Sequence, residues 1–117
     1  MTYGEEHGST AFGADGEKLE LGSREFFEMA DNRFLSWNTP LCVDGVPFAG
    51  IFDYEMYADK KVLEVGCGMG FMAMCWAQRG AEVTAVDLNP TSVMMTRRRF
   101  EVMHLKGTIT EEDARQL

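Results

Sequence analysis

Nine residues constrain this chain most: Val62-Leu63-Glu64-Val65-Gly66-Cys67-Gly68-Met69-Gly70. A short apolar run containing an acid is followed by three glycines at alternate positions. About twenty residues on, Ala85-Val86-Asp87-Leu88-Asn89 is again an apolar run ending in an acid. A glycine-rich turn after one strand, with a carboxylate at the tip of the next, is how α/β proteins hold a nucleoside-bearing ligand.

The surrounding pattern agrees. Residues 61–65 read as a buried strand: short, apolar and bounded by turn residues. Residues 70–79 read as a helix, apolar nearly all round and therefore well covered, with Gly80 as its stop. Residues 82–86 are a second strand. Asn89 then caps a helix with Pro90 at its first position, where a missing N–H costs nothing. Val93, Thr96, Phe100 and Met103 form that helix's inward stripe, and Gly107 closes it. Residues 108–111 complete a third strand, with Asp113-Ala114 just past its tip. Strand, helix, strand, helix, strand at these lengths predicts right-handed crossovers and a parallel sheet.

Upstream the signals are weaker. Residues 1–21 lack periodicity and read as a mobile leader. Ser23 is placed to cap a helix over 23–36, with Phe26, Phe27, Ala30 and Phe34 at helical spacing and Asn38-Thr39-Pro40 ending it. Residues 43–47 make a turn, and Phe48, Ile51, Phe52 and Met56 suit a short second helix over 48–57. Trp37 and Tyr54 read as packing residues of this part. The expected division is a leader (1–21), an N-terminal helical segment (22–59) and an α/β part (60–117).

The 117 residues predict a single domain, and 45% apolar with 26% charged residues suits a globular protein. A formal net charge of -8 disfavours non-specific binding to nucleic acid or anionic lipid. Arg97-Arg98-Arg99 is the one run of three basic residues, and on a helix it reads as a solvated, partly snorkelling set. Cys42, Cys67 and Cys75 are odd in number and form no CxxC, which points to a reducing, cytoplasmic setting. His7 and His104 have no partner at ligand spacing, so no metal site is expected. No apolar run approaches the ~20 residues that span a bilayer.

The loop's chemistry narrows the ligand. The dinucleotide fingerprint is G-x-G-x-x-G/A, but here the sixth position is Phe71 and the third glycine comes one residue early. Glu64 sets a carboxylate beside the loop, where it would repel a pyrophosphate and attract a cationic ligand end. Asp87 is placed to accept hydrogen bonds from a ribose diol.

Glu64-Val65-Gly66-Cys67-Gly68-Met69-Gly70 resembles the E/D-x-G-x-G-x-G signature of class I S-adenosylmethionine-dependent methyltransferases. Asp87-Leu88-Asn89 resembles that family's second motif, and Glu112-Asp113-Ala114-Arg115-Gln116-Leu117 its "DA-x-x-L" segment. The run Arg97-Arg98-Arg99-Phe100 is similar to the small-molecule branch. The resemblance covers about half the chain. It implies a Rossmann-like α/β fold truncated to the first three of seven strands, ordered 3-2-1-4-5-7-6, behind an N-terminal helical segment.

It also implies S-adenosylmethionine as cofactor and a small-molecule methyl acceptor. Glu64 would meet the methionine ammonium. Gly66, Cys67, Gly68 and Gly70 would form the loop beneath methionine and ribose, and Asp87 would hold the ribose hydroxyls. Leu88 would pack on adenine, Asp113 would accept from its amino group, and the Ala114 N–H would reach a ring nitrogen. No catalytic residue is implied. The acceptor half of such a fold is missing from this sequence, so the expectation is a fragment. The first strand is left as an open edge, to be covered by self-association. A non-catalytic S-adenosylmethionine-binding or assembly module is the alternative.

Overall fold

A computed structural model of the chain describes residues 10–12, 18–37 and 39–117. Strand β1 (Thr10–Phe12) pairs antiparallel with β2 (Lys18–Glu20), Ala11 opposite Leu19. The rest of the leader expected over 1–21 lies outside the described residues, apart from the turn that follows β2.

Helix α1 (Arg24–Trp37) begins where a serine can satisfy a free backbone donor: Ser23 Oγ accepts the Phe26 N–H at 3.2 Å. Phe26 and Phe27 are buried, edge to face at 5.4 Å, and pack with Met95. The second helix expected over 48–57 does not form. Phe48 sits at φ 57°, a left-handed value that interrupts a right-handed helix, and the segment keeps one 3-10 turn, Tyr54–Tyr57. Its aromatic residues instead anchor sideways. Tyr54, Phe52 and Tyr57 surround Trp76 with ring centroids 4.8, 5.5 and 5.6 Å away.

The C-terminal half is a parallel sheet in the order β3 (Lys61–Val65), β4 (Glu82–Asp87), β5 (Thr108–Glu111). Helices α2 (Phe71–Gln78) and α3 (Pro90–Val102) connect the strands. Asn89 caps α3 by accepting the Thr91 N–H at 2.8 Å, with Pro90 at the first position. The closing residue is His104, not Gly107. His104 takes φ 56°, its N–H reaches Glu101 O, and the Leu105 N–H reaches Phe100 O at 2.8 Å. Gly107 instead lies against the Phe100 ring.

One core joins both helices to one face of the sheet: Ala73 and Met74 of α2, Val93 and Phe100 of α3, with Val83, Ala85 and Ile109. Of α2's residues, Gln78 alone is exposed. Strand β3 is the open edge expected, though it departs from the buried strand read from its apolar run. It is an edge of its sheet, and Leu63 and Val65 are each 53% exposed on the face away from Val62 and Glu64.

Candidate cofactor site

The glycine loop lies between the C-terminal ends of β3 and β4 and is laced to the latter. The Gly66 and Cys67 N–H groups both reach Val86 O, at 2.8 and 3.1 Å, and the Gly68 N–H reaches Asp87 Oδ2 at 3.0 Å. The Gly70 N–H closes a tight turn onto Cys67 O at 2.9 Å.

The glycines serve two ends. At Gly66 and Gly68 (φ 73° and 55°) an added Cβ would meet nothing within 4 Å, so their bare faces border open space. At Gly70 (φ 85°) a Cβ would lie 2.7 Å from Thr96 Cγ2, so this glycine lets the loop settle on α3. The first two leave room for a ligand, and the third is a packing requirement.

Glu64 lies half-buried on β3, paired in register with Ala85. Its Oε2 is buried with no hydrogen-bond partner among the described residues. Burial pushes its carboxyl up to about 7, opposed only by the Ala73 N–H. Cys67 faces inward at 6% exposure, its Sγ 3.5 Å from Thr96 Oγ1. Its thiol is pushed up by burial against the Thr96 hydrogen bond, and the charges of Asp87 and Glu64 add to the rise. This is a packed thiol rather than a ready nucleophile.

Asp87 is held from both sides, since Oδ1 accepts the Asn89 N–H at 2.8 Å while Oδ2 takes Gly68. A carboxylate has about four acceptor positions, so two remain. Beside it is a cleft of about 320 Å³ bordered by Gly66, Asp87, Leu88, Asp113 and Ala114. Leu88 is 64% exposed there. Asp113 carries an added constraint: both its oxygens accept from the Arg115 guanidinium, which holds its carboxyl below the usual range. A nucleobase amino group would share Asp113 with Arg115.

The structure thus brings Glu64, the three glycines, Cys67 and Asp87 to one loop, and Leu88, Asp113 and Ala114 to its adjoining cleft. A larger cleft of about 680 Å³ lies elsewhere, under Phe52, Tyr54 and Arg79. There Tyr54 Oη donates to Pro47 O and Arg79 Nη1 to Cys75 O. The glycine loop, which keeps unspent acceptors on Glu64 and Asp87, is the candidate site.

One sequence expectation is overturned beside the loop. Arg99 is not solvated with its neighbours; it is 1% exposed. Its Nε donates to Met69 O at 2.8 Å, and its Nη1 pairs with Asp31 of α1 at 2.7 Å. Its guanidinium sits 4.5 Å from the Phe27 ring. The sign was available, because Arg99 stands three residues after Thr96 and so falls on the inward stripe.

Residues 62–117 match a family model described as "Methyltransferase domain". "Ribosomal RNA small subunit methyltransferase C" of Chromohalobacter salexigens is 41% identical over 56 residues, 48% of this chain and 17% of that protein. "Ubiquinone biosynthesis O-methyltransferase" of Stutzerimonas stutzeri is 38% identical over 67 residues, 57% of this chain and 27% of that protein. A solved structure described as "Conversion of a Disulfide Bond into a Thioacetal Group during Echinomycin Biosynthesis" is 31% identical, with a TM-score of 0.49 over 53% of this chain and 27% of that one. The chain spans under a third of the length of these curated relatives. The motifs in order, the parallel sheet and the family match agree: residues 62–117 are similar to the methyltransferase domain of class I S-adenosylmethionine-dependent methyltransferases.

Proposed function

We propose that this chain supplies the S-adenosylmethionine-binding half of a methyltransferase acting on a small-molecule acceptor. The observation that carries the reading is Glu64, a buried carboxylate oxygen without a partner beside a glycine loop. An orphaned acceptor of this kind is costly unless a donor arrives, and a ligand ammonium is such a donor. A pyrophosphate in its place would meet like charge from Glu64 and Asp87.

The cofactor, when bound, supplies a methyl group activated for transfer. The chain's own residues would bind and orient it. Gly66 and Gly68 offer bare backbone for close approach. Asp87, immobilised by two backbone N–H groups, keeps acceptor capacity for a ribose diol. Leu88 offers an exposed apolar face, and Asp113 with Ala114 closes the cleft's far side. Holding the reacting groups in line is the main source of rate in such a transfer.

The named relatives differ in acceptor, one being a ribosomal RNA methyltransferase and another an O-methyltransferase of ubiquinone biosynthesis. The net charge of -8 favours a small molecule over a polyanion here. The three free cysteines suit a cytoplasmic setting. No helix among the described residues is long and apolar enough to cross a membrane. The exposed Leu63 and Val65 on an edge strand favour a homo-oligomer that covers β3, and they also motivate the second reading, a non-catalytic binding or assembly module.

Isothermal titration with S-adenosylhomocysteine and with NADH decides the cofactor. The expected result is binding of the first alone, weakened at least tenfold in Asp87→Ala. Binding of NADH, or unchanged affinity in Asp87→Ala, refutes the assignment. A methyl-transfer assay separates enzyme from module.

A further inference from the structure

A loop with glycine at every second position is poorly determined by its own sequence. Glycine populates both signs of φ, so the peptide units on either side of Met69 can turn over at low cost. In the structure both are fixed from outside. Thr96, fully buried on α3, donates its hydroxyl to Gly68 O at 2.8 Å. One turn further along α3, Arg99 Nε donates to Met69 O at 2.8 Å. Two consecutive carbonyls are drawn toward α3, and because a trans peptide is planar, their N–H groups are directed the opposite way. Thr96 also meets the loop sterically, its methyl packing where a Cβ on Gly70 would stand.

Arg99 needs support of its own. A guanidinium at 1% exposure is tenable only beside a counterion. Asp31 of α1 provides one, its two oxygens 2.7 and 3.0 Å from Arg99 Nη1. Asp31 precedes Arg99 by 68 residues, so the contact ties the N-terminal helix to the loop.

We propose that Thr96 and Arg99 are positioning residues of the cofactor loop, and that Asp31 sets Arg99 in place, making α1 part of the loop's support. Ligand affinity at the loop then depends on whether α1 is docked. This rests on the reading of the loop as a cofactor site.

The test compares Thr96→Val, which keeps shape and removes the hydroxyl, with Thr96→Ser, which keeps the hydroxyl. Two readouts apply to the full chain: the backbone amide resonances of Met69 and Gly70 by NMR without ligand, and S-adenosylhomocysteine affinity by calorimetry. Thr96→Val is expected to shift or broaden both amides and to weaken binding about tenfold. Thr96→Ser is expected to resemble the parent in both. Asp31→Asn is expected to disturb the same amides, with Asp31→Glu restoring them in part. Should Asp31→Asn fail to fold, the Thr96 pair still decides. If the parent binds no S-adenosylhomocysteine, the cofactor reading fails while the amide readout still judges the positioning. Met69 and Gly70 amides unmoved in Thr96→Val, or moved equally in Thr96→Ser, overturn the proposal.

Discussion

Replacing Glu64 with Gln removes a charge that the fold holds at a cost. In the parent, burial raises the folded-state carboxyl from about 4.5 to about 7, and Oε2 has no partner to offset it. Between these values the folded state holds a proton that the unfolded chain has lost. Stability therefore falls as pH rises from about 4.5 and levels off once pH has passed about 7. At about 1.4 kcal/mol per pH unit the full shift corresponds to roughly 3 kcal/mol. Glu64 is only half-buried, and solvent screening reduces this to about 1–2 kcal/mol. Gln keeps the size and an oxygen for the Ala73 N–H but does not titrate. Any cost of its amide is the same at every pH, so the shape of the pH dependence is diagnostic. Relative to the parent, Glu64→Gln should gain about 1–2 kcal/mol between pH 4.5 and pH 8, roughly 4–8 °C in Tm for a domain of this size. Thermal and urea denaturation at half-unit pH steps measure it. Affinity for S-adenosylhomocysteine should move the opposite way at pH 8, because the stabilising substitution removes the charge facing the ligand ammonium. A pH-independent stability difference, or a gain that appears at low pH and disappears at high pH, would refute the reasoning.

Four further outcomes follow from the same geometry. Gly70→Ala combines a positive φ with a 2.7 Å clash against Thr96 and should lower stability by about 2–4 kcal/mol in urea denaturation. Gly66→Ala has a positive φ but open space, so it should cost only about 1 kcal/mol while abolishing measurable S-adenosylhomocysteine binding. Asp31→Ala should cost about 3–5 kcal/mol by stranding a buried guanidinium, whereas Asp31→Leu combined with Arg99→Met should cost much less than the sum of the single changes. Light scattering should show a concentration-dependent oligomer that Leu63→Lys with Val65→Lys converts to monomer; a parent that is monomeric throughout removes the edge-pairing argument.

Elements governed by local rules were legible in the sequence. Helix α3 announces itself by Asn89-Pro90 at its start, and strands β3 to β5 by apolar runs between turn residues, because caps and periodicity act over a few residues. Segment 48–57 was misread for the converse reason. Phe48, Ile51, Phe52 and Met56 have helical spacing, but Tyr54 and Phe52 gain more by packing on Trp76, 22 and 24 residues away, than a short helix would return. The buried reading of β3 failed because an apolar run implies cover without supplying it. Leu63 and Val65 remain half-exposed.

The site divides along the same line. Residues that would touch a ligand are fixed by strand tips and a tight loop, and their spacing is visible: Glu64, Gly66, Gly68 and Asp87 lie within 24 positions. What holds them is distributed. The loop is glycine-rich so that backbone can be bare, and the same glycines leave its peptide planes free to turn. Rigidity must then come from side chains elsewhere, and those side chains look ordinary in sequence. Thr96 passes for one more member of an apolar stripe, and Arg99 for the third of three surface arginines, until Asp31 is brought beside it from 68 residues earlier. A ligand-binding motif built from glycine can therefore announce its chemistry locally while its geometry is set by contacts that no local pattern records.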